Sequence, residues 1–126
     1  MIVSRGRVTG AESRRRTETF EGAVWTDPVL PTGDGVTVNQ VFFAPGGRTH
    51  WHRHEHGQLL LVTAGEGRIQ PRGEPAEELR AGDVVWVPPG ETHWHGAAAG
   101  SFLAHLAISL GRTEWLEPVT ETEETR

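Results

Sequence analysis

Short apolar runs recur along the chain, and each is bounded by Gly, Pro or Asp. Runs of four to nine β-favouring residues between turn formers are typical of strands, and no window has a convincing helical period. The predicted strands are Val24 to Leu30, Val36 to Ala44, Gln58 to Ala64, Gly67 to Gln70, Glu77 to Arg80, Asp83 to Val87, Thr92 to Ala98, Phe102 to Leu110 and Glu114 to Pro118. The pattern predicts an all-β fold, either a sandwich or a barrel.

Two of these strands, "QLLLVTA" and "FLAHLAIS", are apolar on both faces. A strand of this kind is buried on both sides. Either the two sheets cover each other well, or an outer face that includes Leu59 and Leu61 meets a second subunit. We expect a homodimer or a higher homo-oligomer.

The two ends of the chain differ from the middle. A length of 126 residues predicts one domain. Residues 1–16 are predicted to be a polar, Arg-rich N-terminal segment, and residues 119–126 an acidic tail, because neither has an apolar period. The barrel is expected to span residues 17–118.

Composition excludes several classes of partner and compartment. The formal charge is −5, and the basic residues are all Arg, scattered apart from positions 14–16, so nucleic acid is not an expected partner. No apolar run approaches the ~20 residues of a membrane helix, and "MIVSRGRVTG" lacks the apolar run of a signal peptide. We therefore expect a cytoplasmic protein with a small-molecule substrate and no membrane partner.

The missing residue types limit the chemistry. There is no Cys, Lys or Tyr, which excludes thiolate ligands, Schiff bases and phenolic acids. Proton transfer must therefore come from His, Asp, Glu or water on a metal. This directs attention to the seven histidines.

Two blocks of fixed spacing contain most of these histidines. In the first block, five residues separate Gly46 from His52-Arg53-His54, three separate His54 from Gln58, and six separate Gln58 from Gly65. The second block begins at Gly82, continues through "PPG" and ends at His93. Together they resemble the paired motifs of the cupin superfamily. The resemblance implies a single-domain jelly-roll β-barrel, a double-stranded β-helix, that holds a divalent metal.

The same resemblance implies that His52, His54, Gln58 and His93 are the metal ligands. Imidazoles at i and i+2 of one strand point the same way, and imidazole suits first-row divalent metals, so Mn, Fe, Co, Ni and Zn all remain open. Gln58 stands where the family usually has Glu. A neutral amide leaves the dication uncompensated and should favour a bound anion. His50 and His56 are expected outside the site.

A closer resemblance comes from "VTAGEG", "GDVVW", "PGETHWHGAA" and "HLAI". These stretches are similar to small bacterial cupins with manganese-dependent hydroxynitrile lyase activity. The resemblance implies one metal ion per chain, most simply Mn, and reversible cleavage of cyanohydrins. It also implies that His105 is the base that accepts the hydroxyl proton and that Asn39, Val41 and Ser109 shape the substrate pocket.

Two further histidines are candidates for catalysis. His95 has the same parity as His93, so its side chain should point inward. His105 lies in an apolar strand, where it is either a satisfied core residue or, with other proton acceptors absent, the catalytic base.

The five tryptophans are assigned by position along the predicted strands. Trp51, Trp86 and Trp94 are expected to line the mouth of a cavity, with Trp94 as part of the substrate pocket. Trp25 and Trp115 are expected to serve packing alone.

Three alternatives to a lyase remain open. The first is an isomerase or hydrolyase acting on sugar-like or uronate substrates. The second is an oxygen-activating cupin dioxygenase, which would require iron or nickel. The third is a cupin that binds a ligand without turning it over.

Overall fold

The computed structural model of the protein describes residues 1–31 and 33–120. Within them it contains β-strands, turns and irregular segments, and no helix, which confirms the all-β prediction. The strands are β1 (Arg14–Arg16), β2 (Phe20–Glu21), β3 (Val24–Leu30), β4 (Val36–Phe43), β5 (Arg48–Thr49), β6 (His52–His54), β7 (Gln58–Pro71), β8 (Glu77–Arg80), β9 (Val84–Val87), β10 (His93–Ala97), β11 (Leu103–Leu110) and β12 (Thr113–Trp115).

The strands join into one curled sheet in the order β1-β3-β4-β11-β7-β10-β5-β2. Strands β8 and β9 pair with β7, while β6 pairs with β10 and β12. Strand β7 belongs to both halves of the barrel, because its first part pairs with β11 and β9 and its second part with β10 and β8. Every pairing between these strands is antiparallel.

The inward side chains of the strands form one main apolar cluster. Val24, Phe43, Leu60 and Leu103 are fully buried within it. Leu60 has the same parity as Gln58 on β7, so the strand directs one apolar and one polar side chain to the same interior. The core therefore fills part of the barrel, and polar groups line the rest.

Two of the predicted strands agree with the observed strands at both ends. Val24–Leu30 and Glu77–Arg80 have the predicted bounds. Two predicted strands form the single strand β7, because Gly65 at φ +80° bends the chain without ending it. A Cβ there would lie 2.0 Å from the Phe102 carbonyl oxygen, so only glycine fits the bend.

The boundaries predicted for the barrel, at residues 17 and 118, stay predictions. Residues from both end segments nevertheless contact the barrel. Strand β1 lies within residues 1–16, pairs with β3 and had not been predicted, since three residues show no period. At the other end, Val119 is buried and its carbonyl accepts a hydrogen bond from Arg48. Residues 121–126 of the predicted tail lie outside the described part of the chain.

Large apolar side chains remain exposed on the outer surface. Trp25, Phe42, Phe102, Val84 and Trp86 are each between 39% and 64% exposed, and the rings of Phe42 and Phe102 stack at 5.7 Å. In the described ranges, no helix has the length and apolar character to cross a bilayer.

Candidate metal centre

Strands β6 and β10 bring the site histidines together. His52 and His54 lie at alternate positions of β6, and both side chains are buried, while Arg53 between them is exposed. His93 lies directly opposite His52 in the antiparallel pair of β6 and β10. His95 follows two residues later and is also buried. The strand alternation that predicted inward imidazoles places all four in the interior.

The imidazoles are close enough to share an ion. The ring centroids of His52 and His93 are 4.3 Å apart, those of His52 and His54 are 5.0 Å apart, and those of His54 and His93 are 5.5 Å apart. One ligand nitrogen from each of His52, His93 and His95 lies within 4.8 Å of the others. His54 lies outside this tightest trio, but its Nε2 atom is buried and has no hydrogen-bond partner.

Hydrogen bonds fix the orientation of three of the rings through Nδ1. In His52, Nδ1 donates to the His50 carbonyl oxygen at 2.9 Å, and in His93 it donates to the Glu91 carbonyl oxygen at 3.0 Å. The Nδ1 atom of His54 lies 3.0 Å from the Thr113 hydroxyl. A carbonyl can only accept, so His52 and His93 carry the Nδ1 proton and present an Nε2 lone pair. This is the arrangement found around metal-bound histidines.

Gln58 faces His93 in a way that favours a cation between them. The amide nitrogen of Gln58 donates to the Ser109 hydroxyl at 3.0 Å, and its Oε1 lies 3.1 Å from His93 Nε2. With the proton of His93 on Nδ1, two lone pairs oppose each other at that distance. A shared cation removes the repulsion, since both atoms are metal donors.

Burial keeps the cluster uncharged. Desolvation lowers the pKa of His54 and of His93 to about 4 in each case. Burial, followed by repulsion from His93, lowers the pKa of His52 well below its ordinary value. These imidazoles are therefore neutral at pH 7, which is the form that binds metal. The unpartnered nitrogen, the fixed tautomers and the neutral donor set all fit a divalent metal ion.

His95 and His105 form a second pair beside this cluster. His105 on β11 is fully buried, and its Nε2 lies 3.0 Å from His95 Nδ1. His95 Nε2 and His105 Nδ1 have no hydrogen-bond partner. Burial lowers the pKa of His105 to about 4, and burial followed by repulsion from His105 lowers the pKa of His95 well below its ordinary value. The pair can hold one mobile proton between its two rings.

A cavity of about 110 Å³ lies against these rings. Three predicted pocket residues, Asn39, Val41 and Ser109, line it. Its wall further includes Arg16, Phe20, Thr26, Thr37, Thr49, His52, His54, Gln58, His95, His105, Ala107, Thr113 and Trp115. A larger groove of about 450 Å³ also borders His54 but is lined mainly by charged side chains. The smaller cavity borders four of the buried histidines and is therefore the candidate substrate site.

The predictions for the tryptophans are wrong at three positions, which are Trp94, Trp51 and Trp115. Trp94 does not line the pocket: it lies between His93 and His95 on β10, so its ring points to the opposite face and packs with Trp51. Trp51 is buried in the same cluster. Trp86 is exposed and, as predicted, lines the opening of a cavity, a second one of about 170 Å³ that His93 also borders. Trp115, which was expected to serve packing alone, lines the cavity of about 110 Å³, and its ring centroid lies 4.6 Å from that of His52. Trp25, also predicted to pack, is 39% exposed.

Several cavity residues had not been predicted from the sequence. Arg16, Phe20, Thr113 and Trp115 come from the short strands β1, β2 and β12. For Thr113 and Trp115 the sequence does contain a signal, because they alternate with Glu114 and so share one face of a strand. That strand, β12, pairs with β6, which carries His52 and His54. His50 is half-buried and His56 exposed.

The described residues form an all-β barrel with a buried histidine cluster that could hold a metal ion. Comparison with known proteins specifies the family. The model of the cupin domain matches residues 39–108. A cupin-like protein from Thermotoga maritima has 43% identity and a TM-score of 0.83, with 93% of this chain and 94% of that chain covered. The chain belongs to the cupin family and has its jelly-roll fold.

A curated relative carries an enzyme name. The (R)-mandelonitrile lyase of Granulicella tundricola is 43% identical over 113 residues, which cover 85% of this chain and 86% of the relative. Two more distant solved structures share the fold alone. They are a predicted oxalate decarboxylase from Thermotoga maritima (TM-score 0.75, 21% identity, 88% of this chain and 100% of that chain) and a polyketide cyclase from Streptomyces resistomycificus (TM-score 0.74, 18% identity, 98% and 91%).

Proposed function

We propose that the protein is a metal-dependent lyase that cleaves or forms cyanohydrins. One observation carries the proposal: a single small cavity borders candidate metal ligands and a possible proton acceptor. His52, His54, Gln58 and the His95–His105 pair line this cavity, and His93 contacts Gln58. The 43% identity to a relative named (R)-mandelonitrile lyase supports the reaction class.

His52, His54 and His93, with Gln58, are proposed to hold the ion, and manganese is the metal proposed. Because Gln58 and the buried histidines are uncharged, the donors leave the charge of a dication intact. When bound, a divalent metal supplies positive charge that stabilises negative charge on a substrate oxygen or on cyanide.

His105 is proposed to accept the hydroxyl proton of the cyanohydrin. When His105 Nε2 donates to His95 Nδ1, His105 Nδ1 carries a lone pair with no partner. The proton moves to this atom, the C–CN bond breaks, and its electron pair leaves with cyanide as the hydroxyl carbon becomes a carbonyl. The proton returns to cyanide or water, so the enzyme is regenerated.

The cavity is proposed to fix the substrate and to limit its size. A volume of about 110 Å³ is well below the roughly 300–1,000 Å³ of sites for drug-sized ligands. Asn39 and Ser109 offer hydrogen bonds, while Val41 and Ala107 present apolar surface. A small aldehyde or ketone and cyanide fit this combination.

The test follows benzaldehyde released from racemic mandelonitrile by untagged, manganese-loaded protein. We expect release well above the rate without enzyme. Replacing His105 by Ala should lower kcat by about 10²-fold or more, since it removes the general base, while the exposed His56→Ala control should keep the rate of the unmodified protein.

Metal content and near-ultraviolet circular dichroism would show that the His105 variant is folded and loaded. Benzaldehyde release at the background rate with every divalent metal tried would contradict the lyase. Full activity of a folded His105→Ala variant would contradict the role given to His105.

A further inference from the structure

The candidate cavity contains one permanently charged side chain, Arg16. Every other lining residue is apolar, hydroxylic, an amide or a histidine, and the described residues contribute no carboxylate to the wall. Among the described residues, no negative charge in the cavity wall compensates the charge of Arg16.

Strand pairing holds Arg16 at this place. Arg16 pairs with Val24 in the ladder of β1 and β3, and it is half-buried, whereas Arg14 and Arg15 are exposed. Its guanidinium lies 5.7 Å from the centre of the Phe20 ring. An arginine stacked on an aromatic ring keeps its planar fork of donors in one orientation.

A row of rings connects Arg16 to the histidine cluster. Phe20 contacts Trp115 with ring centroids 5.3 Å apart, and Trp115 contacts His52 at 4.6 Å. All four residues line the cavity. The guanidinium of Arg16 and the ring of His52 therefore belong to the wall of one cavity, and a substrate bound there has both groups around it.

Arg16 makes no ion pair with a carboxylate of the described residues, unlike Arg7, Arg53 and Arg80. A half-buried guanidinium without a carboxylate partner loses hydration and gains most from an anionic ligand. Carboxylates match its donor geometry best, because two parallel hydrogen bonds can form.

We infer that Arg16 determines specificity by binding a carboxylate at the end of the substrate remote from the reacting carbon. This inference rests on the proposed function and specifies its substrate class: small oxo acids and the cyanohydrins made from them. Arg16 positions the substrate and takes no part in proton transfer. The cavity volume of about 110 Å³ restricts the chain between the two groups to a short one.

The kinetic test compares aldehydes that differ only in the carboxylate. The pairs are 4-oxobutanoate with butanal and 4-formylbenzoate with benzaldehyde, each assayed for cyanohydrin formation by manganese-loaded protein. In at least one pair we expect kcat/KM to be about tenfold higher for the acid than for the aldehyde without a carboxylate, mainly because KM is lower for the acid. Arg16→Gln should abolish the preference, whereas Arg15→Gln, with the same charge change on the exposed side of β1, should preserve it.

A binding test makes the inference independent of turnover. Quenching of tryptophan fluorescence by 4-formylbenzoate and by benzaldehyde is measured on the loaded protein and on both variants. Tighter binding of the acid that is lost only in Arg16→Gln supports the inference, even if no cyanohydrin is formed and the lyase proposal fails. Arg16→Met, which keeps an apolar stem near Phe20, repeats the test if the Gln variant does not fold.

Three results would overturn the inference. One is the absence of any preference for the acids in the unmodified protein. Another is a preference that survives Arg16→Gln and Arg16→Met, which would place the carboxylate on the metal. The third is an equal loss in Arg15→Gln, which would indicate a general effect of charge.

Discussion

At the scale of single residues, the neutral amide of Gln58 is proposed to let the site bind an anion. Its amide nitrogen is held by Ser109, and its oxygen faces His93 Nε2. A glutamate at this position would place a negative charge beside the ion. The proposed lyase needs the opposite, because cyanide and an alkoxide both carry negative charge.

Gln58→Glu should therefore retain the metal and weaken anion binding by about tenfold or more, through charge repulsion at short range. Azide titrated against cobalt-loaded protein and followed by the visible spectrum measures this. Gln40→Glu makes the same change beside Thr63, away from the cavity, and should have no effect. Equal azide affinities in all three proteins would make Gln58 a structural ligand only.

At the scale of strands, alternation predicted which side chains point inward. His52, His54 and His93 were found together because positions i and i+2 share a face. The same rule, applied to Trp94, would have placed it outside the pocket, since it lies between two inward histidines. Arg16 and Phe20 could not be predicted, because strands of two or three residues show no period and acquire their position from pairing.

The approach of β10 to its neighbours depends on glycine. A Cβ on Gly96 would lie 2.4 Å from the Arg48 Cβ and 2.5 Å from the Gly47 carbonyl oxygen, at the strand that carries His93 and His95. Backbone and Cβ atoms cannot move aside as a flexible side chain end can.

Gly96→Ala should lower the free energy of unfolding by about 1–3 kcal/mol, as overpacking does, and should reduce metal retention by displacing β10. Urea denaturation and elemental analysis measure the two effects. Gly100→Ala is the matched control, because a Cβ there meets nothing within 4 Å. Similar stabilities of the two variants would contradict the steric account.

At the scale of the whole molecule, the buried histidines couple stability to pH. Burial lowers the pKa of His54, His93 and His105 to about 4, against about 6.5 in an unfolded chain. Between these values the unfolded state binds more protons, so acidification favours unfolding.

Metal-free protein should therefore lose stability as pH falls from 7.5 to 5.5, with each buried histidine contributing on the order of 1.4 kcal/mol per pH unit below about 6.5. Denaturation at several pH values measures the slope. His105→Leu should reduce it, whereas exposed His56→Gln should not. A pH-independent stability would mean that these rings are already accessible to water.

The exposed aromatic residues bear on assembly, and the homodimer stays a prediction. Phe42, Phe102 and Trp86 expose apolar surface that a second copy would cover. Light scattering at micromolar concentration should give the mass of two or more chains, and Phe42→Asp should shift the protein towards monomer. A monomer without the substitution would refute the prediction.

His52, His54 and His93, with Gln58, are proposed to bind one divalent ion beside the cavity that His52, His54 and Gln58 line. The most direct measurement is elemental analysis of protein purified without a histidine tag, beside His54→Ala and His56→Ala. We predict about one divalent ion per chain, retained in His56→Ala and reduced by about tenfold or more in His54→Ala. Equal metal content in His54→Ala and His56→Ala, or no bound divalent metal after loading, would contradict the account.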